Sequence, residues 1–158
     1  MRPIRQRDSF RCGPVAIVNV RKWLGQKVTY RDVFPLSKKM ATTPHSGTAG
    51  SILEKELKQC GGKVKRIIHP SVKELNDHID RGGIVLLRYR WENTKDGEGY
   101  HYGVFIKRTP KYFIGWNIIR NQTVSRVSAK RMQQYLRKTK RGGTTYPWAW
   151  LIERKPNE

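Results

Sequence analysis

The stretch RQRDSFRCGPVAIVNV, Arg5–Val20, decides how the chain is read. Pro14 is tolerated in the first turn of a helix, where its missing N–H would have had no partner anyway. Val15, Ile17, Val18 and Leu24 then recur at helical spacing until Gly25, so the spacing predicts a helix over Pro14–Leu24 with Cys12 at its N-terminus. A thiol is a useful nucleophile only as thiolate, and that helix end favours the anion through its unpaired N–H groups and positive dipole end. Arg5, Arg7 and Arg11, opposed only by Asp8, add positive charge nearby. Most lone cysteines are nevertheless buried structural residues, so position alone does not make Cys12 catalytic.

At 158 residues the chain suits one domain, 1–158, and folding at this size buries about 70% of the surface that the unfolded chain exposes. Hydrophobic residues at 37%, with Trp 5, Tyr 7 and Phe 4, are enough for a packed core and argue against global disorder. The formal net charge is +21, and no acid occurs from Gly99 to Ile152. Such a charge attracts nucleic acid, an acidic protein or an anionic surface, and fits a component of a larger particle; a solvated basic coat is the bland alternative. Two cysteines make no zinc pattern, and no metal or cofactor is implied. Cys12 and Cys60 read as free thiols of a reducing, cytoplasmic or other intracellular compartment, Cys60 as a structural one. Apolar runs are short, far below the ~20 residues that a membrane span requires, and no signal peptide opens the chain. The sequence does not set the oligomeric state.

Further along, Thr29–Leu36 reads as a short helical turn, SKKMATTPHSGTAG as a small-residue loop, and Ala49–Cys60 as a helix ended by Gly61-Gly62. Ser71 and Glu74 match a capping box for a third helix to Ile79. Strands are expected over Val64–Ile68, Ile84–Trp91, Tyr100–Lys107, Lys111–Trp116 and Thr145–Ile152. A last helix over Ala129–Lys138, capped by Ser128, puts Met132, Tyr135 and Leu136 on one face and Lys130, Arg131, Arg137 and Lys138 on the other. Helices come first and strands cluster late, which favours an α+β layout over an alternating parallel sheet.

A catalytic thiol needs a base. His45 lies in the loop, His69 precedes Pro70 at a strand end, and His78 within the third helix has a surface or cap role as its default. His101 differs: it begins the strand YHYGVFIK after the loop ENTKDGEG, where a scaffold can hold an imidazole at a cleft edge. The turn RTP leads into KYFIGW, and in a symmetric hairpin centred on Thr109 His101 and Asn117 stand directly opposite. The Asn117 amide oxygen then accepts from imidazole Nδ1, leaving Nε2 for the thiol. A bulge or one-residue slip would part them. Acyl transfer also needs donors for the oxyanion, which the Gln6 side chain and the backbone N–H of Cys12 can offer, although a lone Gln is more often a surface amide.

Gln6, Cys12 with its Gly-Pro, His101 and Asn117, in that order, resemble the papain-like cysteine peptidases, and most closely the bacteriocin-processing, double-glycine-leader peptidase domains and their stand-alone relatives. TTPHSGTAGSILEKEL and SVKELNDHIDRGGIVLLRYR extend the resemblance, which runs from Gln6 to Leu136. It implies a papain-like α+β fold with N-terminal helices packed on an antiparallel sheet, Cys12 as nucleophile, His101 as general base and acid, Asn117 as orienter and Gln6 in the oxyanion hole. The substrate implied is a peptide or isopeptide bond, cleaved through an acyl-enzyme; an amine acceptor would make the site a transferase and a Gln side chain a deamidase. The leader peptidases usually carry Asp as third residue, whereas Asn117 matches the papain arrangement. No transporter segments accompany the chain, so export is not implied. Gly142-Gly143, after RKTKR, has the composition of a double-glycine cleavage site but reads better as a turn. The competing reading is a basic nucleic-acid-binding or structural protein on a catalytically silent papain-like scaffold.

Overall fold

Helix α1, Cys12–Trp23, has ten of its twelve residues buried, so it is enclosed on nearly every side and not merely striped. It begins at Cys12, earlier than the expected Pro14, because Val15 N–H already reaches Arg11 O at 3.0 Å. Gly25, at φ +92, ends it, with Arg21 and Lys22 in the last turn to complement the dipole. The computed structural model describes residues 1–90, 100–119, 121–141 and 144–156, and only the backbone of 139–141 and 144–146. Trp91 at the expected strand end, the ENTKDGEG loop and Gly142-Gly143 lie outside the described residues.

After a 3-10 turn, Tyr30–Asp32, come α2, Val33–Lys39, and α3, Gly50–Lys58. The strands and helices that follow are β1, Lys63–Ile68; α4, Val72–Asp80; β2, Ile84–Arg90; β3, Tyr100–Arg108; β4, Tyr112–Trp116; β5, Val124–Ser128; α5, Ala129–Tyr135; β6, Thr139–Arg141; β7, Thr144–Tyr146; and β8, Trp148–Glu153. The capping box at Ser71 and Glu74 forms as expected, and the Ser128 side chain caps α5. Six strands make one antiparallel sheet in the order β1-β8-β2-β3-β4-β5, and β6 and β7 form a separate ribbon. This is the α+β layout of helices on an antiparallel sheet that the sequence leads one to expect.

Three features differ from expectation. The expected last strand is divided at Pro147, whose ring removes a ladder donor; its carbonyl instead accepts from His69 N–H at 3.0 Å. The sequence reading contains no strand at β5, whose alternating VSRVS pattern is short and broken by a charge, and none at β6. His78, expected at the surface, is 2% exposed. Its Nε2 lies 3.0 Å from Ile84 O and 3.1 Å from Ile152 O, tying α4 to the ends of β2 and β8.

The sheet divides the core. Ile84 and Leu86 of β2, Tyr102 and Val104 of β3, and Trp150 and Ile152 of β8 pack with α1, α2 and α3 on one face. Val85, Leu87, Tyr89, Phe105 and Phe113 face the other way, with Leu75 and Ile79 of α4 and Met132 and Tyr135 of α5. Period-two alternation along β2 and β3 therefore assigns each side chain near the site to a face. On the α4/α5 face, Ile118 packs where glycines leave room. A Cβ on Gly103 would stand 2.2 Å from Ile118 Cδ1, and one on Gly115 2.3 Å from its Cγ1. Together with the bond from Tyr89 Oη to Ile118 O at 3.0 Å, this packing fixes the chain as it leaves β4.

The candidate active site around Cys12

Cys12 is the first residue of α1, buried at 6% exposure in the cluster that includes Tyr102. Burial pushes its thiol above the usual value, while backbone N–H groups of Tyr102, Gly13 and Cys12 itself, and the charge of Arg88, pull the other way. The site is closed tightly: a Cβ on Gly13 would stand 2.7 Å from Thr48 Oγ1. Thr48 is held by Thr42 Oγ1 at 2.7 Å, and its carbonyl accepts from Tyr102 Oη at 2.7 Å. Gly13 is thus the residue that lets Thr48 of the small-residue loop lie against the start of α1, a close approach that any side chain would block.

The arginines of the opening stretch do not supply the charge felt by the thiol. Arg11 pairs with Asp8 at 2.6 Å and lies over the Phe10 and Phe34 rings, and Arg7 lies 3.9 Å from the Tyr30 ring centroid. The charge comes from Arg88 in β2, a residue that sequence reasoning passed over. Its signal was present: a cation between the buried residues Leu87 and Tyr89 of the strand IVLLRYR.

His101 and Asn117 do meet, but not as a symmetric hairpin would have them. Thr109 N–H bonds Tyr112 O at 2.7 Å, so the turn is centred beyond Thr109. A bulge at Ile106 then shifts the register, leaving Val104 opposite Trp116 and Phe105 opposite Gly115. His101 and Asn117 are therefore not cross-strand partners. Asn117, at φ +55, is instead in the left-handed conformation that Asn tolerates better than most residues, and there its backbone carbonyl lies 2.5 Å from His101 Nε2. A carbonyl can only accept, so Nε2 carries the proton and Nδ1 keeps the lone pair, the reverse of the expected tautomer. His101 is buried, edge-on to the Tyr89 ring at 5.7 Å, and lies on the sheet face opposite to Tyr102. Burial lowers its pKa to about 4 against the opposing effect of the Asn117 carbonyl. Among the described residues no hydrogen bond joins Cys12 to His101.

The Asn117 amide has a different task. Its Oδ1 accepts from Gln6 N–H at 2.9 Å and its Nδ2 donates to Ile4 O at 2.8 Å. Asn19, a polar residue in the buried face of α1, completes the clamp: its Oδ1 accepts from Ile4 N–H at 2.7 Å and its Nδ2 donates to Ile4 O at 3.0 Å. The Gln6 amide donates to Asp8 O at 2.7 Å. Gln6 and Asn117 line a polar groove of about 710 Å³ with Arg2, Arg5, Arg7 and Asn121; Cys12 and His101 lie outside it. Asn117→Asp is expected to destabilise the chain by about 1–3 kcal/mol, because a carboxylate oxygen in place of Nδ2 faces the Ile4 carbonyl without a proton to donate. Urea unfolding at neutral pH checks this; wild-type stability would show that the clamp carries no weight. Cys60, also a buried free thiol, donates to Glu56 O at 3.4 Å.

No known family profile matches the sequence, and no curated protein matches it. Among solved structures, the peptidase domain of Streptococcus ComA, a bifunctional ABC transporter involved in a quorum-sensing pathway, superposes at a TM-score of 0.69 and 20% identity, over 96% of this chain and 97% of that one. A C39-like peptidase from Bacillus anthracis gives a TM-score of 0.67 at 13% identity, over 98% and 95% of the two chains. A double-glycine-motif protease from an AMS/PCAT transporter, solved with its leader peptide, gives 0.62 at 11% identity, over 95% and 89%. The chain has the fold of these peptidase domains.

Proposed function

We propose that the chain is a cysteine peptidase in which Cys12 is the nucleophile. The observation that carries this reading is the placement of Cys12 as the first residue of α1, where burial raises the thiol and backbone N–H groups oppose that rise, in a fold shared with peptidase domains. Sγ attacks the amide carbonyl carbon and its proton passes to His101 Nδ1, directly or through one water. The amine leaves with that proton, and water then releases the acyl group. Asn117 holds the imidazole tautomer through its backbone carbonyl. The oxyanion is met by the Cys12 N–H and by the Gln6 amide once it leaves Asp8 O. The transfer requires that thiol and imidazole, which share no hydrogen bond in the resting site, approach within reach of each other or of one bridging water in the substrate complex.

A peptide ending in Gly-Gly with a C-terminal fluoromethyl ketone tests the reading. Loss of fluoride as Sγ forms a thioether traps the nucleophile. The expected result is one adduct per chain, located at Cys12 by mass spectrometry and prevented by excess unreactive peptide. Modification of Cys60 alone, or none across a panel of leaving-site residues, overturns it.

A further inference from the structure

The polar groove that Gln6 and Asn117 share is one-sided in its charge. Arg2, Arg5 and Arg7 line it and are all exposed, and among the described residues none of them pairs with a carboxylate. Asp8, the acid in the lining, is already engaged: Oδ2 pairs with Arg11 at 2.6 Å, and Oδ1 accepts from the N–H groups of Phe10 at 3.1 Å and Arg11 at 2.9 Å. The remaining polar lining comes from the turn after β4, which contributes the Asn121 and Gln122 amides. That turn is closed by bonds from Asn117 N–H to Thr123 O at 2.9 Å and from Gln122 N–H to Ile119 O at 3.0 Å, with Asn121 in the left-handed conformation at φ +66. The arginine-bearing segment is fixed as well, because the Asn19 and Asn117 side chains clamp Ile4 and Gln6 on either side of Arg5. The backbone walls of the groove are therefore set before a ligand arrives.

Two observations choose the ligand. Tyr30 is the aromatic residue of the lining, and its ring is engaged: Arg7 lies 3.9 Å from its centroid and Phe34 meets it edge-on at 5.3 Å. The groove thus offers guanidinium groups and amides rather than the stacking faces that a single-stranded nucleic acid uses, and guanidinium groups match carboxylates with two parallel bonds each. The groove also leads to the site: Gln6 is part of its lining, and Asp8, another part, holds the N–H of Arg11, the residue before Cys12. We propose that this groove is the subsite for an acidic stretch of the peptide substrate, whose glutamate or aspartate side chains meet Arg2, Arg5 and Arg7 while the adjoining backbone passes Gln6 toward Cys12. The assignment rests on the chain being a cysteine peptidase with Cys12 as nucleophile, and adds to that reading the charge of the substrate.

The test is fluorescence anisotropy on the full chain carrying Cys12→Ser, with three labelled probes: a glutamate-rich peptide ending in Gly-Gly, the same peptide with Gln for each Glu, and an oligothymidylate. An exposed ion pair is worth up to about fivefold in affinity, so the Glu peptide is expected to bind about tenfold or more tighter than its Gln counterpart, with the gap closing as salt is added. Arg5→Gln with Arg7→Gln abolishes most of that preference. Arg137→Gln with Lys138→Gln, which removes as much charge from exposed residues outside the groove, leaves it intact. If loss of Arg7 from the Tyr30 ring prevents folding, Arg2→Gln with Arg5→Gln carries the test. Equal affinity for the two peptides, or equal loss in the groove and control variants, overturns the assignment, the second result showing attraction by the basic coat as a whole. Tighter binding of the oligothymidylate, lost in the same groove variants, overturns it in favour of nucleic acid. If the preference is absent while the fluoromethyl ketone still modifies Cys12, only the groove assignment falls. If the preference is present and groove-dependent while Cys12 takes no adduct, the acidic-peptide site stands and the nucleophile reading falls.

Discussion

Cys12→Ser lowers turnover of a cleavable peptide by roughly 10⁴-fold or more, the scale on which removal of a nucleophile acts in triad hydrolases, while the chain stays folded. The two halves of that expectation have separate causes. A serine hydroxyl is far less acidic than a thiol, and the base available to it is an imidazole with a pKa of about 4, too weak to take its proton readily. The backbone N–H groups that face the sulfur can be accepted by a hydroxyl oxygen, so the smaller Ser leaves no buried donor unsatisfied. Initial rates and thermal unfolding on the same sample separate the halves. Turnover near wild type would place the nucleophile outside α1; loss of the folded transition would leave the electrophile adduct at Cys12 as the deciding measurement.

Acid destabilises the chain by about 3 kcal/mol between pH 7 and pH 4 through His101 alone. In the unfolded chain the ring titrates at its ordinary 6.5; in the fold, burial holds it unprotonated until about 4. Across that window the unfolded state binds the extra proton, so stability is complete above pH 6.5 and is lost as the pH falls toward 4. At about 1.4 kcal/mol for each pH unit, the gap gives the figure above. Asp80, whose carboxyl is held below its ordinary value by its bond to Arg108, acts only at lower pH and does not obscure the window. Urea unfolding at several pH values between 7 and 4 reads the slope directly. His101→Phe starts from lower stability at neutral pH, because the Asn117 carbonyl loses its donor, but its slope across the window is shallower by the His101 share. Equal slopes in the two proteins would sink the assignment. The same titration sets the activity profile: kcat/KM holds on a plateau through neutral pH and falls on an acid limb near 4, since only the neutral ring accepts the Cys12 proton.

Much of the fold was legible because it is local. Gly25, Gly61, the Ser71/Glu74 box and Ser128 act within a turn of the helix end that they shape, and each does so in the structure. The late strands were recognisable from apolar runs, yet β5 was missed because five residues interrupted by Arg126 give too little alternation to count. His78 was misplaced because nothing within α4 reveals that two carbonyls, one of them from β8, would meet its ring.

The site divides along the same line. The sequence by itself determined that Cys12 begins a helix, that His101 begins a strand, and that Asn117 follows the next strand closely enough to meet it. Each follows from propensity and spacing over a few residues. Only the tertiary structure decided which atoms meet. With the turn lying beyond Thr109 and Asn117 in the left-handed conformation, the Asn117 carbonyl meets His101 in place of its amide, and the roles of the two imidazole nitrogens are exchanged. The amide, so released, clamps Ile4 and Gln6. The one charge that bears on the Cys12 thiol, as the smallest of several influences, is that of Arg88, seventy-six residues away in the chain, and not that of the arginines next to it. Register and burial are set by contacts between distant segments, and a one-residue shift reassigns every side chain along a strand; no local pattern carries that information.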